Sequence, residues 1–100
     1  MKSCVYLVGA GPGDPGLLTV KGLELIKEAD VIVYDYLSNP YFLTLAKKSC
    51  KLINAGKRLG FKALSQEQTN KKLILLAQKG YKKIVRLKGG DPFLTIFLYP

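Results

Sequence analysis

Apolar residues recur along this chain in two rhythms. Residues 4–9 and 31–35 are short, nearly unbroken apolar runs, Val5-Tyr6-Leu7-Val8 and Val31-Ile32-Val33-Tyr34 at their centres. That is the pattern of strands buried on both faces. "KLINAG" at 51–56 and "KKIVRL" at 82–87 read as a third and a fourth strand. Between the first two, Thr19 is placed to cap a helix over about residues 20–29, with Leu23, Ile26 and Lys27 at helical spacing. "SNPYFLTLAKKS" offers Asn39 as a cap and Pro40 at the first helical position, predicting a second helix to about Lys48. Ser65 and Gln68 have the spacing of a capping box, opening a third helix that Gly80 ends. Strands alternating with helices predict an α/β fold, an open parallel sheet with flanking helices. No internal repeat or low-complexity linker interrupts the alternation.

In such sheets ligands bind beyond the carboxyl ends of the strands. The segments 9–18, 36–38, 56–64 and 89–92 are therefore expected to share one rim. They bring to it the run Gly9-Ala10-Gly11-Pro12-Gly13, then Asp35, then Gly56-Lys57-Arg58, then Gly89-Gly90-Asp91. Gly11-x-Gly13-x-x-Gly16 matches a dinucleotide fingerprint, and Asp35 lies near where a ribose-binding acid would stand. The fingerprint needs a helix opening among the glycines, so that its N-terminus meets a pyrophosphate. Pro12 and Pro15 interrupt the loop and the cap comes only at Thr19, which argues against a nicotinamide cofactor. The loop then either admits a different ligand or is a plain strand-to-helix turn. Asp35 also suits a strand-end acid, Lys57 and Arg58 suit surface charges, and Gly89-Gly90-Asp91-Pro92 suits a turn. Tyr6, Tyr34 and Tyr81 are expected to be packing residues.

Composition narrows the chemistry. One hundred residues make at most one domain, and 48% hydrophobic content with ten aromatic residues suffices for a core. Met1-Lys2 and the apolar stretch to Ala10 imitate a signal peptide, but the stretch is short and runs into Gly-Pro-Gly-Asp instead of a cleavage site. Cys4 and Cys50 stand far apart, suggesting neither a disulfide framework nor a zinc site. The expectation is a cytoplasmic protein with no membrane span. Histidine is absent, which removes the commonest general base and metal ligand. Residues 1–46 hold three lysines against five acids, whereas residues 47–100 hold thirteen basic residues against Glu67 and Asp91. A basic half suits an anionic partner, either nucleic acid or a polycarboxylate metabolite, although most lysines simply solvate helix faces.

Four stretches occur together in one order: "VYLVGAGPGDPGLLTVKG", "ADVIVYDYL", "NAGKR" and "VRLKGGDPF". In these the chain resembles the tetrapyrrole methylases from residue 4 to about 93, and most closely the branch that methylates uroporphyrinogen III to precorrin-2 for siroheme and cobalamin. The resemblance implies S-adenosyl-L-methionine as cofactor, a tetrapyrrole as the small-molecule substrate, and a homodimer of two-domain subunits. It implies Asp35 as proton acceptor and Lys57 as proton donor. Pro12, Gly89, Gly90, Asp91 and Leu94 are implied as cofactor contacts. A sulfonium methyl group needs no acid or metal to become transferable, so a site without histidine suffices. A carboxylate is able to accept the proton that the ring carbon loses.

The chain departs from the family after Gly-Gly-Asp-Pro-Phe, where Leu94-Thr95-Ile96-Phe97-Leu98-Tyr99-Pro100 replaces a Gly-Arg-Gly-Gly-Glu-Glu type segment. The usual histidine after "GKR" is also missing. The expectation is an incomplete N-terminal domain over residues 1–100, with the second domain absent and no turnover on its own. Two alternatives remain. One is another tetrapyrrole methylase, acting on a cobalamin precursor. The other is a basic nucleic-acid-binding module, which would need arginines and aromatic residues interleaved on one face.

Overall fold

The computed structural model of the chain describes residues 3–11, 20–35, 41–57 and 59–99, with the backbone alone for 10–11, 90–94 and 97–99. Among the described residues eight elements follow one another: β1 (Ser3–Gly11), α1 (Val20–Glu28), β2 (Val31–Tyr34), α2 (Tyr41–Thr44), β3 (Lys51–Asn54), α3 (Gln66–Gln78), β4 (Lys83–Lys88) and β5 (Gly90–Tyr99). They build one sheet in the order β3-β2-β4-β1-β5. The first four strands are mutually parallel, as the alternation of elements predicts. β4 is inserted between β2 and β1, so it is covered on both sides.

Pleating sorts the apolar runs onto two faces. Ile32, Val85, Leu87 and Val8 face α1 and α2, packing with Leu25, Ile26, Ala29 and Phe42. Val31, Val33 and Ile84 face α3, packing with Leu73, Leu76, Ala77 and Ala55. A continuous apolar run was required because both faces of β2 and β4 are covered. Tyr6 and Tyr34 pack against the first core and Tyr81 against the second, as expected of packing residues.

The third helix follows its sequence signals. Ser65 accepts a hydrogen bond from the Gln68 backbone N–H (3.1 Å), and the Gln68 side chain accepts one from the Ser65 N–H (2.9 Å), a reciprocal capping box. At the other end the Gly80 N–H donates to the Ala77 carbonyl and the Tyr81 N–H to the Leu76 carbonyl. Gly80 has φ +96°, the left-handed conformation that this Schellman closure requires.

Two elements differ from expectation. The second helix does not reach Lys48. It ends at Thr44, whose hydroxyl donates to the Tyr41 carbonyl at 2.6 Å. Leu45 and Ala46 then bond back three residues, tightening the last turn. Lys47 is drawn away to Asp30, its Nζ 2.8 Å from Oδ1. The segment 89–92, expected as a loop, is mostly strand: Gly89 alone separates β4 from β5. β5 runs antiparallel along β1 from Ser3↔Tyr99 to Gly11↔Gly90, so the sheet gains an antiparallel edge strand. Its register slips between Gly9↔Phe93 and Gly11↔Gly90, leaving Asp91 and Pro92 opposite Ala10. A bulge in an edge strand tolerates a proline, which has no N–H to give the ladder. Thr19, Asn39 and Pro40, the expected cap and first-turn residues, lie outside the described residues.

Candidate functional site at the strand ends

Register alone fixes which loops share an edge. Tyr34 lies opposite both Leu87 and Asn54, and Gly9 opposite Lys88. The residues that follow these positions therefore share one rim: Asp35 after β2, Ala55-Gly56-Lys57 after β3, Gly89 after β4, and Gly11 ending β1. Gly90, pairing with Gly11, brings the start of β5 and with it Asp91 to the same edge. Leu94 lies farther down β5, opposite Val8. Pro12 and Arg58 lie outside the described residues, and for Gly90, Asp91 and Leu94 only the backbone is described. The chain leaves β2 toward β3 and leaves β4 the other way, toward β5. Diverging connections from neighbouring strands open the crevice in which α/β sheets bind ligands.

Local chemistry shapes each strand end. The Ala55 N–H donates to the Tyr34 carbonyl (2.6 Å), carrying the β2–β3 ladder one residue past β3. The Gly56 N–H then donates to Asn54 Oδ1 (2.8 Å), an Asx turn that reverses the chain. Beyond it Lys57 stands exposed. α1 ends at the far edge, where Glu28 meets Lys83, so its first residue, exposed Val20, lies toward this rim, and the loop after β3 adds exposed Leu59 and Phe61. The rim thus offers apolar surface together with charge.

Asp35 does not stand alone there. Its Oδ2 accepts from Arg86 Nη2 at 3.1 Å, the arginine side chain 6% exposed and the aspartate 31%. Arg86 Nη1 also donates to the carbonyls of Leu87 (3.2 Å) and Val33 (3.4 Å). Among the described residues Asp35 Oδ1 takes no hydrogen bond. Sequence reasoning assigned Arg86 only to a core strand. The signal was the charge itself, a lone arginine inside Ile-Val-Arg-Leu, since a fully buried cation is rarely kept without a partner. The burial also removes one of the two arginines from any nucleic-acid-binding face.

The opposite edge carries a separate charge cluster. Asp30 Oδ1 accepts from Lys47 Nζ (2.8 Å) and Oδ2 from the Lys83 backbone N–H (3.0 Å). The Lys47 hydrogen bond is the main cause holding the Asp30 carboxyl below its ordinary value. Lys83 Nζ and Glu28 pair at 2.7 Å, lowering the Glu28 carboxyl and raising the Lys83 ammonium. Burial pushes the Cys50 thiol up. An open groove of about 430 Å³ runs between β3 and α3, lined by Ile53, Leu64, Gln68 and Leu75 among others. It touches the rim at Asn54 but contains none of Asp35, Lys57 or Gly89. No helix among the described residues is long and apolar enough to cross a membrane.

The sequence profile of the Tetrapyrrole (Corrin/Porphyrin) Methylases matches residues 4–96. Siroheme synthase 1 of Yersinia enterocolitica is 56% identical over 90 residues, which are 90% of this chain and 19% of that protein. Uroporphyrin-III C-methyltransferase of Thermus thermophilus superimposes with a TM-score of 0.69 at 41% identity, covering 89% of this chain and 36% of that one. A structure of the same Thermus enzyme complexed with S-adenyl homocysteine gives 0.66 at 45% identity over the same shares. A cobalt precorrin-4 methyltransferase gives 0.67 at 34% identity, covering 87% of this chain and 34% of that one. The chain thus spans about a fifth of the curated relative and about a third of each solved structure.

Proposed function

The chain belongs to the tetrapyrrole (corrin/porphyrin) methylases, and from that premise we propose that its rim forms one wall of an S-adenosyl-L-methionine-dependent C-methyltransferase site that converts uroporphyrinogen III to precorrin-2. The observation that carries this reading is the Asp35 carboxylate, held at the strand ends by Arg86 with Oδ1 free of any described partner. Asp35 accepts the proton that the ring carbon loses on alkylation. Lys57, exposed past the Gly56 turn, acts as proton donor and attracts the carboxylates of the substrate. Val20, Leu59 and Phe61 give the macrocycle an apolar surface.

The residues present suit the methyl donor in kind. Strand ends that finish in Gly11 or lead into Gly56 and Gly89 let a ligand approach the backbone closely, and S-adenosyl-L-methionine would supply its methyl group without help from a metal or an acid. Gly89, Gly90 and Asp91 would hold it, with Pro12 and Leu94, the contacts that the family resemblance implies. The protein acts in the cytoplasm as part of a homodimer. The cobalt precorrin-4 methyltransferase neighbour supports a second substrate, a later cobalamin precursor, on the same rim.

The test is a titration of the isotopically labelled chain with S-adenosylhomocysteine and with uroporphyrin III, followed by NMR. Amides of Gly9, Asp35, Gly56, Lys57 and Gly89 are expected to shift while Asp30 and Lys83, on the far edge, stay fixed. Affinity weaker than micromolar is expected, since the chain spans about a third of the solved relatives. Shifts confined to the far edge, or none with either ligand, would overturn the reading. A larger response to a cobalt-corrin than to uroporphyrin III would select the second substrate.

A further inference from the structure

Arg86 occupies a position that sequence logic reserves for an aliphatic residue. β4 has a strand on each side, and Arg86 is two residues from Ile84, on the face that packs against α3. Only 5% of the residue is exposed. A cation in such a place is costly unless its donors are used, and an apolar side chain of similar volume is often as stable or more so. Arg86 is moreover incompletely satisfied: its Nε is buried and has no hydrogen-bond partner among the described residues. A residue kept only to stabilise the sheet would not leave a donor stranded there.

The satisfied donors show what the side chain does. Nη1 donates to the Leu87 carbonyl of its own strand and the Val33 carbonyl of the neighbouring strand β2. The planar guanidinium is thereby fixed by two backbones. Nη2 then reaches Asp35 Oδ2 at 3.1 Å. An aspartate just past a strand end would otherwise sample its staggered side-chain rotamers. We infer that Arg86 is a positioning residue, transmitting the geometry of the β2–β4 ladder to Asp35 so that the carboxylate is held in one rotamer at the rim. The importance for catalysis rests on the reading of Asp35 as proton acceptor; the orientation itself does not. Lysine cannot substitute, because an ammonium on a flexible stem is a point donor and not a rigid fork.

The test measures the Asp35 side chain directly, in the full 100-residue chain. Three-bond couplings that report the Asp35 χ1 angle are compared between wild type, Arg86→Met and Arg86→Lys, with the methyl spectrum of Val31, Leu73 and Ile84 reporting the α3-side core. Wild type is expected to show the unequal couplings of a single rotamer. Both variants are expected to show averaged couplings with the core methyls unmoved, a change that a purely structural role would not produce. Wild-type couplings retained in Arg86→Met would overturn the inference. If Arg86→Met fails to fold, Arg86→Lys decides alone: averaged couplings support positioning, and a single rotamer overturns it. This measurement needs no ligand, so a failed titration with S-adenosylhomocysteine would count against the proposed function and not against the role of Arg86.

Discussion

Asp30 gives the sharpest stability prediction, because three strands meet at one carboxylate and its backbone. Its N–H donates to the Lys83 carbonyl and its own carbonyl accepts from the Lys51 N–H. Its side chain takes the Lys83 N–H and the Lys47 ammonium. Asp30→Ala removes both side-chain bonds. A hydrogen bond to a charged acceptor contributes about 1.5–3 kcal/mol, and the half-buried Lys83 N–H sits near the lower end because water reaches it. The Lys47 pair, 41% and 33% exposed, adds only about 0.2–1 kcal/mol after solvent screening. The expected loss is about 2 kcal/mol, or roughly 8–16 °C in Tm for a domain of this size. Asp30→Asn keeps an oxygen for the Lys83 N–H and loses about half as much. The pH dependence follows from the lowered carboxyl. A depressed folded value means that the stabilisation is complete above the unfolded value, near 3.9, and is lost as pH falls through the folded value. Urea unfolding at pH 7, 5 and 3 should therefore show wild type and Asp30→Asn converging on acidification. Asp30→Ala within about 0.5 kcal/mol of wild type at pH 7, below the ordinary net worth of one hydrogen bond, would refute this account. So would a gap between wild type and Asp30→Asn that is the same at pH 3 as at pH 7.

Gly80→Ala should destabilise the chain by about 1–2 kcal/mol, the ordinary cost of a Cβ in the left-handed region, even though a Cβ there meets nothing within 4 Å. Equal urea midpoints for the two proteins would show that the Schellman turn adjusts freely. Cys50, its thiol raised by burial, should react more slowly with iodoacetamide at pH 8 than free cysteine does, because the thiolate is the nucleophile. A rate at or above that of free cysteine would mean that Cys50 is not shielded as its surroundings indicate.

What was legible in the sequence is what local forces decide. Ser65, Gln68 and Gly80 bound a helix because each acts within four residues of itself, and the apolar runs of β1, β2 and β4 follow from burial on both faces. The early end of α2 was not legible, because Lys47 leaves the helical path for Asp30, seventeen residues earlier. β5 was missed for a related reason. Gly-Gly-Asp-Pro reads as a turn from residue type alone, yet Gly90 is strand because Gly11 lies beside it, and that pairing joins the two ends of the chain.

The rim divides along the same line. Which residues end strands is legible in the sequence, so Asp35, Lys57 and Gly89 fall on one edge from the sequence alone. Strand order could not be read, and strand order is what gives Arg86 its partner. Alternation of elements predicts parallel strands but leaves open which of them are neighbours. Only with β4 inserted beside β2 does Val33 fall opposite Arg86, which brings a guanidinium from fifty-one residues away to Asp35. The same insertion makes the connections from β2 and β4 diverge, the kind of switch point beside which α/β sheets bind ligands. The switch point and the group that orients the Asp35 carboxylate are thus two consequences of one topological choice. A substitution that weakened β2–β4 pairing would therefore disturb the Asp35 rotamer even with Arg86 intact, whereas one that weakened β1–β5 pairing would not.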